Sequence, residues 1–268
     1  MRPSPSPIRL DDKPFTLIGQ LRRHLRLLHY SPRTEEAYVS WTRRFVRFTG
    51  GHHPRNVGAR EITAFLSKLA ARNVSASTQN QAVAALSFLY GDVLRMDFPW
   101  LQNLRRAKRP ARMPVVLTHA EVGAVLGCMT GAAKLVSCLL YGSGLRLTEA
   151  VTLRVKDVDF ASRTITVRSG KGDRDRVTVL ADSLVAPLTE HLARVERVWK
   201  HDVRRADFGV PLPGAFAAKS GNAGRSWAWY WVFPGRSTFR DDATGHAMRW
   251  HLDQSAVQRA VNAAGVAA

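Results

Sequence analysis

The sequence has little cysteine, few acidic residues and no long apolar run. Its two cysteines, Cys128 and Cys138, lie ten residues apart in apolar helical sequence and fit no zinc-ligand spacing. We predict that both are small core residues. The sequence therefore predicts no metal site, and it contains no motif that predicts a cofactor.

No stretch of about 18 consecutive apolar residues is present, which excludes an obvious membrane-spanning helix and a membrane partner. The basic start, residues 1–14, is interrupted by four prolines and does not resemble a secretory signal. We expect this stretch to be a flexible tail and the protein to be cytoplasmic.

Acidic residues are scarce beside basic ones. The chain has 21 Asp and Glu against 40 Lys and Arg, which gives a formal net charge of +19 at pH 7. Such an excess favours a polyanionic partner, and nucleic acid is the leading candidate. The 268 residues, 45% of them hydrophobic, are enough to fill the cores of two ordinary domains.

Helical periodicity covers the first hundred residues, where apolar side chains recur at three- and four-residue steps in four successive segments. Ser31 is the predicted N-cap of the second helix, with Pro32 in its first turn, and Ser77 is a predicted cap of the fourth. We therefore predict a four-helix domain over residues 15–103.

A basic linker is predicted directly after this domain. Residues 104–114 combine two prolines with basic side chains and contain no acidic residue. Such a segment is expected to be extended and to contact a phosphate backbone, although a soluble tether is the plainer alternative. An arginine-rich face of the second helix adds to this surface. The predicted DNA-binding residues in these two regions are Arg43, Arg44, Arg47, Arg105, Arg106, Lys108 and Arg109.

Residues 115–268 mix helical and strand patterns. Thr118 and Glu121 have the spacing of a capping box, and helical sequence continues from there to Tyr141. These patterns predict helices at the start of a second domain.

Strand patterns follow at residues 164–168 and 176–180, which alternate like the two strands of a β-hairpin. A long helical pattern comes next, then an irregular aromatic segment over about residues 203–239, and a last helical stretch. The predicted fold class is mainly α and two-domain, the second domain being α+β with a small antiparallel sheet.

Arg146 and Lys171 have the chemistry to handle a phosphate group. Arg146 stands in "GSGLRLTEAV", between a Gly-rich turn and a helix start, and Lys171 lies near the hairpin tip. A guanidinium matches two phosphate oxygens, amides at a helix start add a favourable field, and a lysine can also donate a proton. Taken singly, an ion pair of Arg146 with Glu149 and a solvated Lys171 are the more ordinary interpretations. A P-loop is excluded, because Ile165 occupies the position of its first glycine.

The order of these parts, with "YGSGLRLTEAVTLRVKDVDF" before "TITVRSGKGDRDRVTVL", resembles the tyrosine recombinases of the phage-integrase type over nearly the whole chain. Two further stretches, "HYSPRTEEAYVSWTRRFVRF" and "GVPLPGAFAAKSGNAGRSWAWYWVFPG", resemble the integron integrases, which recombine gene cassettes. The resemblance implies a SAM-like core-binding domain, a catalytic domain over residues 115–268 with an integron-type insert, and a homotetramer on DNA.

By this resemblance Arg146 is the first catalytic arginine and Lys171 protonates the leaving 5′ oxygen. The family also has a His-x-x-Arg motif and a tyrosine nucleophile after the hairpin, and we expect this chain to lack both. Truncation, a frameshift or a cut segment would each explain an incomplete catalytic domain that cannot cleave DNA. The His-x-x-Arg strings that fit poorly begin at His52, His191, His201 and His246, and the tyrosines that fit poorly are Tyr30, Tyr38, Tyr90, Tyr141 and Tyr230.

The aromatic insert has a possible use of its own, since flat aromatic faces stack on unpaired bases. The resemblance implies contact with bases that protrude from folded single-stranded cassette sites, and the predicted contacts are Trp229, Trp250 and His251. Alternatively, the alternating Trp227, Trp229 and Trp231 only bury the insert against its own domain.

Two other functions stay open at this point. One is a non-catalytic DNA-binding or regulatory protein that occupies recombination sites with the same fold. The other is a basic helical RNA-binding protein, which would show no preference for recombination-site hairpins over bulk RNA.

Overall fold

The computed structural model describes most of the chain, which divides into two compact units, residues 1–114 and 115–268. The fold is mainly helical with small sheets in the second unit, so the predicted fold class is confirmed. The predicted tail and the predicted linker 104–114 lie outside the described residues. The described ranges are 16–72, 74–96, 115–168, 175–213, 216–220, 222–242 and 244–268.

The described residues of the first unit form four α-helices, as predicted, and the last of them continues as a short π-helical turn at Leu89–Val93. Ser31 caps the second helix by accepting a hydrogen bond from the amide of Thr34, and Pro32 follows in the first turn. The predicted cap of the fourth helix is wrong, because Ser75 and not Ser77 accepts from a first-turn amide. The helices are α1 (Leu17–Leu27), α2 (Pro32–Phe48), α3 (Ala59–Ala71) and α4 (Ala76–Phe88).

The core of the first unit is apolar and aromatic. Phe45 packs edge-on against both Phe65 and Tyr90, and the buried Tyr90 hydroxyl donates to the carbonyl of Pro54. A nearly buried carboxylate, Glu35 of α2, accepts hydrogen bonds from arginines of α1. Because these contacts use the inner faces of the helices, the arginine face of α2 remains on the outside.

Six helices belong to the second unit among the described residues. Thr118 and Glu121 form the predicted capping box. The predicted helical run to Tyr141 is instead two helices, separated near Gly131, whose φ of +63° suits glycine. The helices are α5 (His119–Gly127), α6 (Gly131–Ser143), α7 (Leu147–Val151), α8 (Asp182–Asp202), α9 (Phe216–Lys219) and α10 (Gln254–Ala267).

The described residues of the second unit form two three-stranded sheets, and the first contains the predicted hairpin. Its strands are β1 (Val158–Asp159), β2 (Thr164–Val167) and β3 (Arg176–Val179), in that order and antiparallel throughout. The tip of the hairpin, residues 169–174, lies outside the described residues.

The second sheet was not predicted. Its order is β4 (Phe208–Gly209), β6 (Ala247–His251), β5 (Pro234–Arg240), with β4 parallel and β5 antiparallel to β6. β4 has only two residues and β5 is mostly exposed, so neither carries a period-two apolar pattern.

The prediction that both cysteines are core residues is wrong for Cys128. That side chain is exposed at the C-cap of α5, a helix that buries none of its own residues, whereas Cys138 is partly buried. The apolar composition of α5 misled the prediction, because the helix lies on the outside of the unit. In the part of the chain that the structure describes, no helix is long and apolar enough to cross a membrane.

Candidate functional site

Arg146 lies at the start of α7, where the backbone emerges from Gly144 in the left-handed region with φ +62°. Its guanidinium Nη1 donates to Glu149 Oε1 at 2.8 Å, and its backbone amide donates to Glu149 Oε2 at 2.8 Å. The ordinary interpretation, an ion pair with Glu149, is therefore present. The Arg146 side chain is nevertheless 56% exposed, so the pair holds the guanidinium without removing it from solvent.

Arg176 joins this cluster, although it was not among the predicted site residues. Its Nη1 and Nη2 donate to Glu149 Oε1 and Oε2 at 2.8 and 2.7 Å. These hydrogen bonds, with those from Arg146, lower the pKa of the Glu149 carboxyl to about 2. One carboxylate thus fixes two guanidinium groups, which leaves a net positive charge at the start of α7. Alternation along this strand favours Val177 and Val179 as the buried residues, but both are exposed. Arg176 instead lies opposite the buried Val167, so the sequence carried no signal for its position.

The base of the hairpin is held by a second ion pair. Arg168 Nε donates to Asp157 Oδ1 at 2.7 Å, and Asp157 is buried. This hydrogen bond raises the pKa of Arg168. Arg168 directly precedes the hairpin tip, so the pair fixes where the tip begins. Lys171 itself lies outside the described residues.

Residues of two His-x-x-Arg strings lie in packing or ion-pair contacts. His191 is buried on α8 and its Nε2 lies 2.9 Å from the carbonyl of Val232, and burial lowers its pKa. Arg194, three residues on, is exposed and pairs with Glu190 on the same helix. Arg249, from the string that begins at His246, is buried in an ion pair with Asp202 at the end of α8.

Tyr230, the tyrosine that follows the hairpin in the sequence, is also buried in the core of its unit. Tyr230 is 0% exposed, and its hydroxyl donates to Asp202 Oδ2 at 2.6 Å. Burial and the neighbouring carboxylate raise its pKa well above the ordinary value. A hydroxyl that is enclosed and already donating to a carboxylate cannot attack a phosphate from this position. The exposed Tyr141 instead lies beside His119, with the hydroxyl 2.9 Å from Nδ1.

The insert packs its three alternating tryptophans against its own domain, as the alternative interpretation held: Trp231 is buried, and Trp227 and Trp229 are partly buried against the same cluster. Tyr230 and Trp231 are both buried, because the backbone here pairs with the segment after α7. Trp229 is half-buried. The Phe216 ring stacks on it with 4.7 Å between the ring centroids, and the Lys156 ammonium lies 3.5 Å from the centroid of the Trp229 ring. The predicted base-contact residue Trp229 therefore already has an aromatic and a cationic neighbour.

Trp250 and His251 lie at a large open pocket between β5, β6, the start of α6 and α10. The pocket has a volume of about 1030 Å³. Trp250 is 49% exposed and meets Phe239 of β5 edge-on. His251 Nδ1 lies 2.8 Å from the carbonyl of Leu252, and burial lowers the pKa of this histidine. The wall thus presents aromatic surface, and the lining also includes Arg236 and Arg259.

The basic face of α2 is present as predicted. Arg44 and Arg47 are exposed and Arg43 is half-buried, with the Arg44 guanidinium carbon 4.8 Å from the centroid of Trp41. The predicted DNA-binding residues of the linker, Arg105, Arg106, Lys108 and Arg109, lie outside the described residues. Within the described ranges, no group of three or more His, Cys, Asp or Glu is placed to hold a metal ion.

Comparison with protein-family models identifies both units. The model described as "Phage integrase, N-terminal SAM-like domain" matches residues 17–100, and the "Phage integrase family" model matches residues 116–268. The chain belongs to the phage integrase family. This is the family of the tyrosine recombinases, which break and rejoin DNA. The N-terminal helical unit is thus its SAM-like domain, and residues 116–268 belong to its catalytic domain.

Individual relatives support the same assignment. The chain is 48% identical over 255 residues to an "Integrase/recombinase" of Escherichia coli, which covers 93% of this chain and 76% of that protein. A protein of the same name from Pseudomonas aeruginosa matches to the same extent. "Tyrosine recombinase XerA" of Thermococcus onnurineus is 32% identical over 180 residues, with 66% of this chain and 61% of that protein covered.

Solved structures share the fold. The Tn1549 transposon integrase, in complex with a circular intermediate DNA, gives a TM-score of 0.51 at 16% identity and covers 87% of this chain and 73% of its own. The XerH site-specific recombinase bound to its difH substrate gives 0.50 at 18% identity, with 98% and 75% covered.

Proposed function

We propose that this chain is a site-specific recombinase of the integron type, which binds recombination-site DNA and takes part in the integration of gene cassettes. The observation that carries the proposal is the cluster at the start of α7. There, in a member of the phage integrase family, Glu149 holds Arg146 in place while most of the Arg146 side chain stays in solvent. The 48% identity to proteins named integrase/recombinase supports the activity class.

In this proposal Arg146 binds the scissile phosphate. Its planar fork matches two non-bridging oxygens and neutralises the charge that grows on them as the phosphorus becomes pentavalent. Arg176, on the same carboxylate, adds positive charge at the site. Lys171 protonates the 5′ oxygen as the strand breaks, and the Arg168–Asp157 pair fixes the base of the hairpin that carries it.

The pocket at Trp250 supports recognition of folded single-stranded sites. A base that protrudes from a DNA hairpin needs a flat apolar surface to stack on and a cation near its phosphate. Trp250 and Phe239 supply the first, and Arg236 and Arg259 supply the second. Trp229 contributes at the edge of the insert, where its ring is half-buried.

We further propose that this 268-residue chain binds such DNA, as a homotetramer, without cleaving it. The support is local: Tyr230 is enclosed and donates to Asp202, and Arg249 binds the same carboxylate. The same contacts favour the second candidate function, a non-catalytic DNA-binding or regulatory protein that occupies recombination sites.

The test of the proposed pocket compares two DNA hairpins that differ only in whether two bases protrude from the stem. Wild-type protein should prefer the hairpin with protruding bases, and Trp250→Ala should lose about fivefold to 150-fold in affinity for it, since each stacked base contributes about 1 to 3 kcal/mol. Equilibrium fluorescence anisotropy measures both affinities.

Tyr141→Ala is the matched control, because that aromatic side chain is exposed in the same unit and does not line the pocket. It should bind both hairpins like the wild type. Equal affinity of the wild-type protein for the two hairpins would contradict the proposed recognition of protruding bases.

A further inference from the structure

A buried ion pair lies next to the Trp250 pocket, and its arginine is on the strand that carries Trp250. Asp202, the last residue of α8, and Arg249, in the middle of β6, are both buried. Arg249 Nε donates to Asp202 Oδ2 at 2.6 Å and Nη2 donates to Oδ1 at 2.8 Å. The two parallel hydrogen bonds fix the plane of the guanidinium as well as its position.

The remaining nitrogen of Arg249 contacts the backbone of Gly235 and Arg236, which line the pocket and are called its rim below. Its Nη1 donates to the carbonyls of Gly235 and Arg236 at 2.7 and 2.9 Å. The pairing of β5 with β6 shifts register between Pro234 and Thr238, so both carbonyls lie in an irregular stretch of the ladder. Four of the five N–H donors of Arg249 are therefore used, two on the carboxylate and two on the rim.

The rim also lies unusually close to β6. A Cβ atom added to Gly235 would lie 3.1 Å from the carbonyl oxygen of Trp250 and 3.2 Å from that of His251. The backbone of β5 at this point is thus pressed against the two residues that form the pocket wall. Any movement of Gly235 and Arg236 changes the width of the pocket directly.

We propose that Asp202 and Arg249 are positioning residues that set the width of the Trp250 pocket, and thereby its selectivity for a protruding base. The inference rests on the proposed function, since it deepens the role of the same pocket. Asp202 orients Arg249, Arg249 holds the carbonyls of the bulged rim, and the rim fixes the gap into which a base stacks. Neither side chain touches the DNA in this arrangement.

Asp202→Asn tests the inference, because it keeps the shape of the side chain and removes its charge. The affinities for the two hairpins should then agree to within about twofold. A stacked base adds to the affinity only when the pocket has the width to accept it. Affinity for the fully paired hairpin and cooperative thermal unfolding should both remain. Tyr230→Phe is the matched control, since it removes a different hydrogen bond to the same carboxylate and should leave the preference intact.

Arg249→Lys provides a second, independent variant, because an ammonium cannot hold the carboxylate and both carbonyls in one plane. Retention of the wild-type preference by either folded variant would overturn the proposal. Loss of cooperative unfolding in both variants would also overturn it, because the pair would then serve folding alone. If the wild-type protein itself shows no preference, the proposed function fails first, and that outcome is separate from a failure of the variants.

Discussion

Reversal of Arg105, Arg106, Lys108 and Arg109 to glutamate should abolish binding to recombination-site DNA at moderate salt. Residues 105–112 carry five positive charges and no acidic residue. Each phosphate that such a cation neutralises releases counterions. A protein with about six to ten phosphate contacts therefore loses about 10³-fold to 10⁵-fold in affinity when the salt concentration rises from about 50 to 200 mM. Replacing these attractions with repulsions should leave no measurable complex in an electrophoretic mobility-shift assay.

The control for that variant reverses four exposed basic residues elsewhere, namely Arg194, Arg197, Lys200 and Arg204. It changes the net charge equally and should weaken binding far less. Both variants should unfold cooperatively, because the linker sequence is basic and proline-containing and the four control residues are exposed. Loss of cooperative unfolding in the linker variant alone would show that the linker is structural. Equal binding losses in the two variants would show that only net charge matters.

A nicked suicide substrate should give no covalent adduct with the 268-residue protein. The reaction needs a tyrosine hydroxyl in line with the phosphate. Tyr230 is fully buried and hydrogen-bonded to Asp202, so Tyr230→Phe should change nothing in this assay. A denaturation-resistant band that disappears in Tyr230→Phe would place the nucleophile in the insert and contradict this reasoning.

The same assay tests the role of Arg146 in a form of the chain that carries a family-type C-terminal segment. With a His-x-x-Arg motif and a tyrosine in that segment, the adduct should form. Adding Arg146→Ala to that extended chain should lower the rate by about 10² to 10³, which is the usual loss when one donor to a transition-state oxyanion is removed. Arg163→Ala is the matched control, because that exposed arginine pairs with Asp182 away from the cluster. An undiminished rate in Arg146→Ala would remove Arg146 from the site.

Local signals predicted the features that neighbouring residues determine. Ser31 with Pro32, and Thr118 with Glu121, are caps whose partners lie within three residues, and the β2–β3 hairpin alternates over a short stretch. Such features need no knowledge of distant chain segments.

The features that failed depend on distant contacts. Helix α5 has apolar composition but lies on the surface of the second unit, so Cys128 is exposed. β5 pairs with β6 across a turn and carries mostly polar, exposed residues, so no pattern marks it. Arg176 and Arg249 form ion pairs with carboxylates that lie 27 and 47 residues away in the sequence, and no sequence spacing predicts pairs at such separations.

Arg146 could be singled out from the sequence, but its surroundings could not be derived there. The Gly-rich turn and the helix start marked it, and the ion pair with Glu149 was the ordinary alternative. The structure shows that the pair and a largely exposed guanidinium coexist, because Glu149 itself is only 7% exposed and is held by Arg176 from the other side. An ion pair therefore does not exclude a role in phosphate binding.

The most direct test of the central claim, that this protein is a DNA-binding recombinase, is the salt dependence of its affinity for a recombination-site hairpin. Equilibrium binding should be measured at several salt concentrations between about 50 and 200 mM. The binding constant should fall by about 10³ to 10⁵ over that range, and log K should decrease linearly with log salt. A binding constant that stays unchanged from low to moderate salt would contradict the claim.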